Sequence, residues 1–127
     1  MRATISIALA IAGLIHLLPL TGVLGAAQLE KLYGLSLADA NLALLMRHRA
    51  VLFGLLGLLM ITAAFKSELQ LTAIIAGLVS VISFLWLASP AGDYSHHIAR
   101  IVNADMIALA CLVIASGAWV YSSSPKT

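Results

Sequence analysis

Four long apolar runs, separated by short clusters of charged and polar residues, extend along the chain. We place them at about 3–27, 42–65, 69–90 and 99–121. Each run is long enough for one membrane span, because about 20 helical residues cross the hydrocarbon core of a bilayer. Backbone groups in lipid must be hydrogen-bonded within the protein, which favours helices over an open sheet. The pattern therefore predicts an all-α protein, a four-helix up-and-down transmembrane bundle formed by a single domain over residues 1–127.

The composition supports a lipid environment. Of the 127 residues, 62% are hydrophobic and 9% are charged, whereas about 25% of the residues are charged in a typical soluble domain. The net charge of +2, without a basic tract, gives no support for nucleic-acid binding. Cys111 is the only cysteine, which excludes an intramolecular disulfide and the paired cysteines that membrane thiol oxidoreductases need.

The connection between the first two spans has a helical pattern of its own. Three apolar residues recur there at helical spacing: Leu29, Leu32 and Tyr33. Gly34 is a suitable stop, so we predict a short helix lying at the membrane interface. Ser36 and Asp39 then read as capping residues for the second long helix, which we expect to run from about Leu37 to Phe65.

The stretch "LLMRHRAVLFGLLG" places Arg47, His48 and Arg49 between apolar residues on both sides. One interpretation is that both arginines extend to the lipid headgroups. The other is that the interfacial helix covers them. Helical phase puts Arg47 on a stripe of small residues that should face the other helices, and at least one of His48 and Arg49 toward lipid or headgroups.

The last span repeats this arrangement. Arg100 begins a stripe of small residues and is expected to point inward, together with Cys111. Asp105 lies about 100° away around the helix, on a face shared with His97. A carboxylate within a span is costly in lipid and is usually paired or functional. We therefore predict an ion pair between Asp105 and an arginine of the second long helix.

His16 lies in the middle of the first span, one turn before Pro19. We favour a neutral histidine that donates to a backbone carbonyl, with a ligand-binding or proton-carrying role as the alternative. Four histidines in all, His16, His48, His96 and His97, invite a haem or metal interpretation. Their spacing is not diagnostic and there is no CxxCH motif, so we predict no cofactor and no metal, and keep haem as an alternative.

The distribution of lysine and arginine bears on membrane orientation. With the N-terminus inside, Arg2, Lys66 and Lys126 lie on the inner side. The outer side then holds the four remaining basic residues, Lys31, Arg47, Arg49 and Arg100. If the three arginines belong to a site within the protein, the balance favours both termini in the cytoplasm. Arg2 and the following apolar run also resemble a secretory signal peptide, but the run exceeds the usual length of about 7 to 15 residues, and we favour an uncleaved span.

The stretch "GLIHLLPLTGVLGAAQLEKLYGLSLAD", followed by "LLMRHRAVLFGLLG", resembles a family of small bacterial inner-membrane proteins with four helices, DoxX-like in the loose sense. The likeness covers most of the chain, and "RHRAVLFG" is its most specific part. It implies a four-helix membrane fold without an assigned activity. Some members carry the label phosphopantetheine adenylyltransferase, but this chain lacks the strand and helix alternation and the "GH" phosphate-binding motif of that soluble enzyme. We carry no catalytic residues across.

These patterns predict a polar cluster at one end of the bundle. Its ligand-binding candidates are Arg47, Arg49, Arg100, Asp105, His16 and His97. We expect it to bind a small anionic or lipidic ligand or a partner membrane protein, and the small-residue stripes suit a homo-oligomer. The alternative is a haem, a metal or an enzyme that uses Arg47, Asp105 and His97 as anion clamp, base and acid. A small multidrug exporter is disfavoured, because the first span has no glutamate.

Overall fold

The computed structural model describes residues 1–124, and every regular element in that range is helical. The five α-helices are α1 (Arg2–Leu17), α2 (Ala26–Tyr33), α3 (Ala40–Phe65), α4 (Gln70–Ala88) and α5 (His96–Ser123). Short 3₁₀ helices cover Leu18–Leu24, Ser67–Leu69 and Ser89–Ala91. The predicted all-α class is thus confirmed. Lys126, which entered the charge balance, lies outside the described residues.

Four stretches in the described range are long and apolar enough to cross a membrane. They are Arg2–Leu24, Ala40–Phe65, Ser67–Ala88 and His96–Ser123, with mean hydropathies of 2.2, 1.7, 2.3 and 2.0. They correspond to the four apolar runs of the sequence. The prediction of four membrane-length helices is therefore confirmed, with boundaries that differ by a few residues.

The first of these stretches changes its helical type part-way. α1 ends at Leu17, and a 3₁₀ helix continues to Leu24. Pro19 is the cause, because proline has no N–H to donate to the carbonyl of Ile15 one α-turn earlier. The N–H of Leu18 donates to that carbonyl instead. The tighter turn thus begins where the α-helical hydrogen bond is lost.

The connection between α2 and α3 contains one confirmed and one incorrect boundary. Gly34 ends α2 as predicted, with a φ of 65° that suits glycine. The predicted start of the next helix at Leu37 is wrong, since α3 begins at Ala40. Asp39 is the N-cap, and its carboxylate accepts a hydrogen bond from the N–H of Asn41 at 2.8 Å. Leu37 is held outside the helix because its N–H donates to the carboxylate of Glu30 at 3.0 Å.

Each of the four long helices packs against at least two of the others. α1 contacts α3 and α5, and α4 contacts the same two helices from the other side. Gly13 of α1 lies against Gly57 of α3, and one turn later His16 lies against Phe53. The numbers rise on one helix as they fall on the other, so α1 and α3 are antiparallel. The predicted small-residue stripe of α3 is confirmed by four buried positions: Ala50, Gly54, Gly57 and Ala64.

A second, smaller apolar core lies beneath α2. Leu29, Tyr33 and Leu37 are buried there. Met46 of α3 and Ile98 of α5 pack against them. α2 is thus fixed over the end of the molecule where α3 and α5 begin, which is the end that carries the polar residues of both helices.

Candidate functional site

A cavity of about 290 Å³ lies under α2, between α1, α3 and α5. Seven polar or ionisable side chains line it: His16, Lys31, Tyr33, Arg49, His97, Arg100 and Asp105. The remaining lining is apolar: Ile15, Leu18, Pro19, Leu32, Phe53, Ile101 and Ala104. Small-molecule sites have this character, an apolar wall with a few convergent polar groups, in pockets of roughly 300–1,000 Å³. The volume here suits a small ligand.

His16 is buried, with 2% of its surface exposed. Its Nδ1 lies 2.8 Å from the carbonyl oxygen of Ala12, one turn earlier in α1. That contact fulfils the sequence prediction of a histidine that donates to a backbone carbonyl. The ring stacks on Phe53 with centroids 5.7 Å apart. Nε2 is buried and has no hydrogen-bond partner among the described residues.

Arg49 is the arginine of α3 that reaches the cavity. It is half-buried, and its Nη1 donates a hydrogen bond to the hydroxyl of Tyr33 at 3.1 Å. Its Cζ lies 4.8 Å from the ring centroid of Phe53, 5.6 Å from that of Tyr33 and 5.9 Å from that of Phe84. Aromatic faces attract a guanidinium at such distances. The charge is therefore held in place by three rings and one hydroxyl.

Asp105 lies on the buried side of α5, with 7% of its surface exposed. Arg49 is a positive charge that acts on its carboxylate through space. The predicted direct ion pair is not formed in the described part of the chain, because the Arg49 guanidinium is turned toward Tyr33. The expected shared face of α5 is confirmed, since His97, Ile101 and Asp105 all line the cavity.

Arg47 lies elsewhere. Its side chain is exposed, and its Nε donates to the carbonyl of Val23 in the 3₁₀ helix after α1 at 3.0 Å. Ala50, on the same predicted stripe of α3, is buried as expected. The long side chain of Arg47 extends away from this buried face of the helix. His48 is exposed as well. Of the six candidate site residues, the cavity therefore brings together five, without Arg47.

The mouth of the cavity is basic. Lys31 of α2 and Arg100 of α5 are both exposed and both line it. The expected inward position of Arg100 is therefore only partly met, since it reaches the cavity from the exposed side. His97 is half-buried and lies against Gly34, where an added Cβ would come within 2.5 Å of its Nδ1. The end of α2 and the start of α5 are in contact at this point.

The described residues do not group three or more His, Cys, Asp or Glu side chains closely enough to hold a metal ion. Cys111, the half-buried cysteine of α5, packs against the main core rather than the cavity.

Two important cavity residues were not among the candidates from sequence. Tyr33 supplies the hydroxyl that binds Arg49, and Phe53 packs on both Arg49 and His16. The sequence places Phe53 one turn after Arg49 on the same face of α3, which is a usable indication. The position of Tyr33 depends on where α2 packs, and no local pattern encodes that.

Comparison of the chain with models of known protein families, with curated proteins and with solved structures finds no match.

Proposed function

We propose that this protein is an integral membrane protein that binds a small anionic, amphiphilic ligand in the cavity under α2. The supporting observation is the charge of the lining. Lys31, Arg49 and Arg100 provide three positive charges there, against the single carboxylate of Asp105. An apolar wall joined to an excess of positive charge favours a ligand that has an apolar body and an anionic group.

The proposed setting is a bilayer crossed by α1, α3, α4 and α5 as an up-and-down bundle, with α2 at the interface. The outward surface supports it. Large apolar side chains are well exposed on all four of these helices, including Leu14 at 59%, Leu55 at 59%, Val79 at 64% and Ile114 at 54%. Water would disfavour so many exposed apolar groups, whereas acyl chains would not. We place the protein in a bacterial inner membrane, as the DoxX-like resemblance implies, and that family membership is part of the proposal.

The experiment measures binding of two simple anionic amphiphiles, benzoate and phenyl phosphate. The protein is held in phosphatidylcholine nanodiscs, which carry no net charge, and empty nanodiscs correct for partitioning into lipid. We expect saturable binding of both anions and weaker binding of benzamide, which has the same ring without the charge. Calorimetry or ligand-observed NMR provides the measurement.

Matched variants of α5 locate the binding. Ala104 lines the cavity, so Ala104→Phe should fill it and abolish anion binding. Ala110 is exposed on the same helix, so Ala110→Phe should bind both anions as the wild type does. Circular dichroism verifies that both variants are folded. Binding that is absent from the wild type, or equal in the two variants, would refute the proposed site.

A further inference from the structure

His16, one of the residues that line the cavity, has one unused hydrogen-bond acceptor on its ring. The carbonyl of Ala12 can only accept, so the Nδ1 that lies 2.8 Å from it must carry the ring hydrogen. In the neutral ring, Nε2 is then an acceptor. It is buried and unpartnered among the described residues, in a side chain that is 98% inaccessible and lines the cavity. Buried polar atoms normally have partners, so this one requires an explanation.

The cavity has two chemically different ends. His16 and Asp105, with 2% and 7% of their surfaces exposed, form the floor. Lys31 and Arg100 are exposed and form the mouth. The floor therefore offers acceptors and the mouth offers cations. Arg49 donates to the Tyr33 hydroxyl and lies over aromatic rings, so Lys31 and Arg100 are the exposed positive charges of the lining.

Two of the residues that line the cavity, His16 and Phe53, carry stacked rings. The rings of His16 and Phe53 stack with an angle of 29° between their planes. Aromatic rings also favour edge-to-face and offset contacts, so a planar ring suits the neighbourhood of this pair. The cavity volume of about 290 Å³ leaves space for one ring and its substituents.

We propose that the ligand is a small aromatic hydroxy acid whose hydroxyl donates a hydrogen bond to Nε2 of His16 while its anionic group lies between Lys31 and Arg100. This inference rests on the proposed function and names its ligand class. A hydroxyl suits the floor because it is neutral, so it satisfies the acceptor without adding a charge to a buried region. No bond is made or broken in this step.

The test compares three ligands in the same nanodiscs. In 4-hydroxybenzoate the hydroxyl and the carboxylate are at opposite ends of the ring, benzoate has no hydroxyl, and in 2-hydroxybenzoate the two groups are adjacent. We expect 4-hydroxybenzoate to bind about tenfold more tightly than benzoate, the usual effect of one neutral hydrogen bond. The 2-hydroxy isomer should resemble benzoate, because its hydroxyl cannot reach the floor while its carboxylate is at the mouth.

The variant His16→Phe assigns the effect to one atom. Phenylalanine keeps a ring that can stack on Phe53 and removes the acceptor. We expect His16→Phe to lose the tenfold preference for the 4-hydroxy compound over benzoate, whatever its affinity for benzoate itself. The ¹⁵N shift of His16 Nε2 in the wild-type protein provides a measurement that does not depend on the folding of this variant. It should respond to 4-hydroxybenzoate and not to benzoate.

The outcomes separate this inference from the proposed function. If benzoate binds and 4-hydroxybenzoate is no tighter, or if the preference survives in His16→Phe, the hydroxyl contact is refuted and the anion site stands. If the Nε2 resonance does not respond to 4-hydroxybenzoate, the contact is refuted in the same way. If no anion binds the wild type at all, the proposed function itself fails.

Discussion

Arg49 and Asp105 are the two oppositely charged residues of the buried part of the site, yet they are not in direct contact. The Arg49 guanidinium donates to Tyr33 and lies over three aromatic rings, and its charge acts on Asp105 through space. The ring contacts do not depend on the carboxylate. We therefore expect the Arg49 side chain to keep its contacts with Tyr33 and Phe53 when Asp105 is replaced.

A double-mutant cycle measures how strongly Arg49 and Asp105 are coupled. We expect Asp105→Asn and Arg49→Gln to show a coupling free energy of about 1 kcal/mol, the range of neighbouring charges without a shared hydrogen bond. Disrupting a direct buried ion pair typically costs about 3–5 kcal/mol. Unfolding in mixed micelles provides the free energies. The control cycle pairs Asp105→Asn with Arg47→Gln and should show no coupling, because Arg47 is exposed and bonded to Val23. A coupling near 3 kcal/mol, or none, would contradict the geometry.

Residue positions were only partly predictable from the sequence. Helical phase gave the inward faces correctly where side chains are short, as at Ala50 and Gly54, because the direction of Cβ then decides burial. Helical phase predicts that Arg47 faces the interior, whereas Arg49 is the arginine of α3 that lines the cavity. A long side chain can extend away from the helix face that carries its Cβ and reach a hydrogen-bond acceptor elsewhere. Arg47 donates to the carbonyl of Val23 in the 3₁₀ helix Leu18–Leu24, and Arg49 donates to the hydroxyl of Tyr33, 16 residues earlier in the chain.

At the scale of elements, the approach of α1 to α3 depends on two glycines. A Cβ added at Gly57 would lie 2.8 Å from the carbonyl oxygen of Gly13, and one added at Gly13 would lie 2.9 Å from that of Gly57. Both contacts are with backbone, so neither can be relieved by a side-chain rotation. The two helices are therefore as close as their backbones allow at this level.

We predict the effect of alanine at two glycines, one at this contact and one outside it. Gly57→Ala should lower the free energy of unfolding by about 1–3 kcal/mol, since α1 and α3 must separate to admit the methyl group. Gly117→Ala is the control, because a Cβ there meets nothing within 4 Å. It should be neutral or stabilising by up to about 1 kcal/mol, as alanine favours a helix over glycine. Thermal unfolding in one detergent compares them, and equal losses would contradict the close approach.

Element boundaries followed the sequence where a residue type enforces them. Gly34 stops α2 because φ is positive there, and Pro19 ends the α-helical part of the first span. The start of α3 was placed three residues early, because Leu37 continues the apolar pattern although its N–H bonds to Glu30. No local sequence pattern predicts the cavity, because it is formed only where α2 packs over three other helices.

At the scale of the whole molecule, the basic residues are unequally divided between the two ends. Arg2 and Lys66 lie at one end, and the cavity and its mouth lie at the other. Arg47 and Arg49 are within α3 and bonded to protein groups, so they contribute little to the positive-inside balance of the loops. Arg100 lines the proposed anion site and is set aside with them, which leaves Lys31 at the cavity end against Arg2 and Lys66 at the other end among the described residues. We therefore expect Lys66 and the N-terminus in the cytoplasm and the cavity on the outer face, accessible to ligands from outside.

Cysteine labelling of two loop residues tests this orientation. In a Cys111→Ser background, Asp93→Cys places a thiol before α5, at the cavity end, and Glu68→Cys places one between α3 and α4, at the other end. Both positions are exposed, and both changes remove one acid, so the pair is matched. A membrane-impermeant maleimide should label Asp93→Cys in spheroplasts and should label Glu68→Cys only after the membrane is opened. The opposite result would place the cavity on the cytoplasmic side, where its ligand would have to come from inside the cell. It would also show that Lys31 and Arg100 count among the inner-side basic residues.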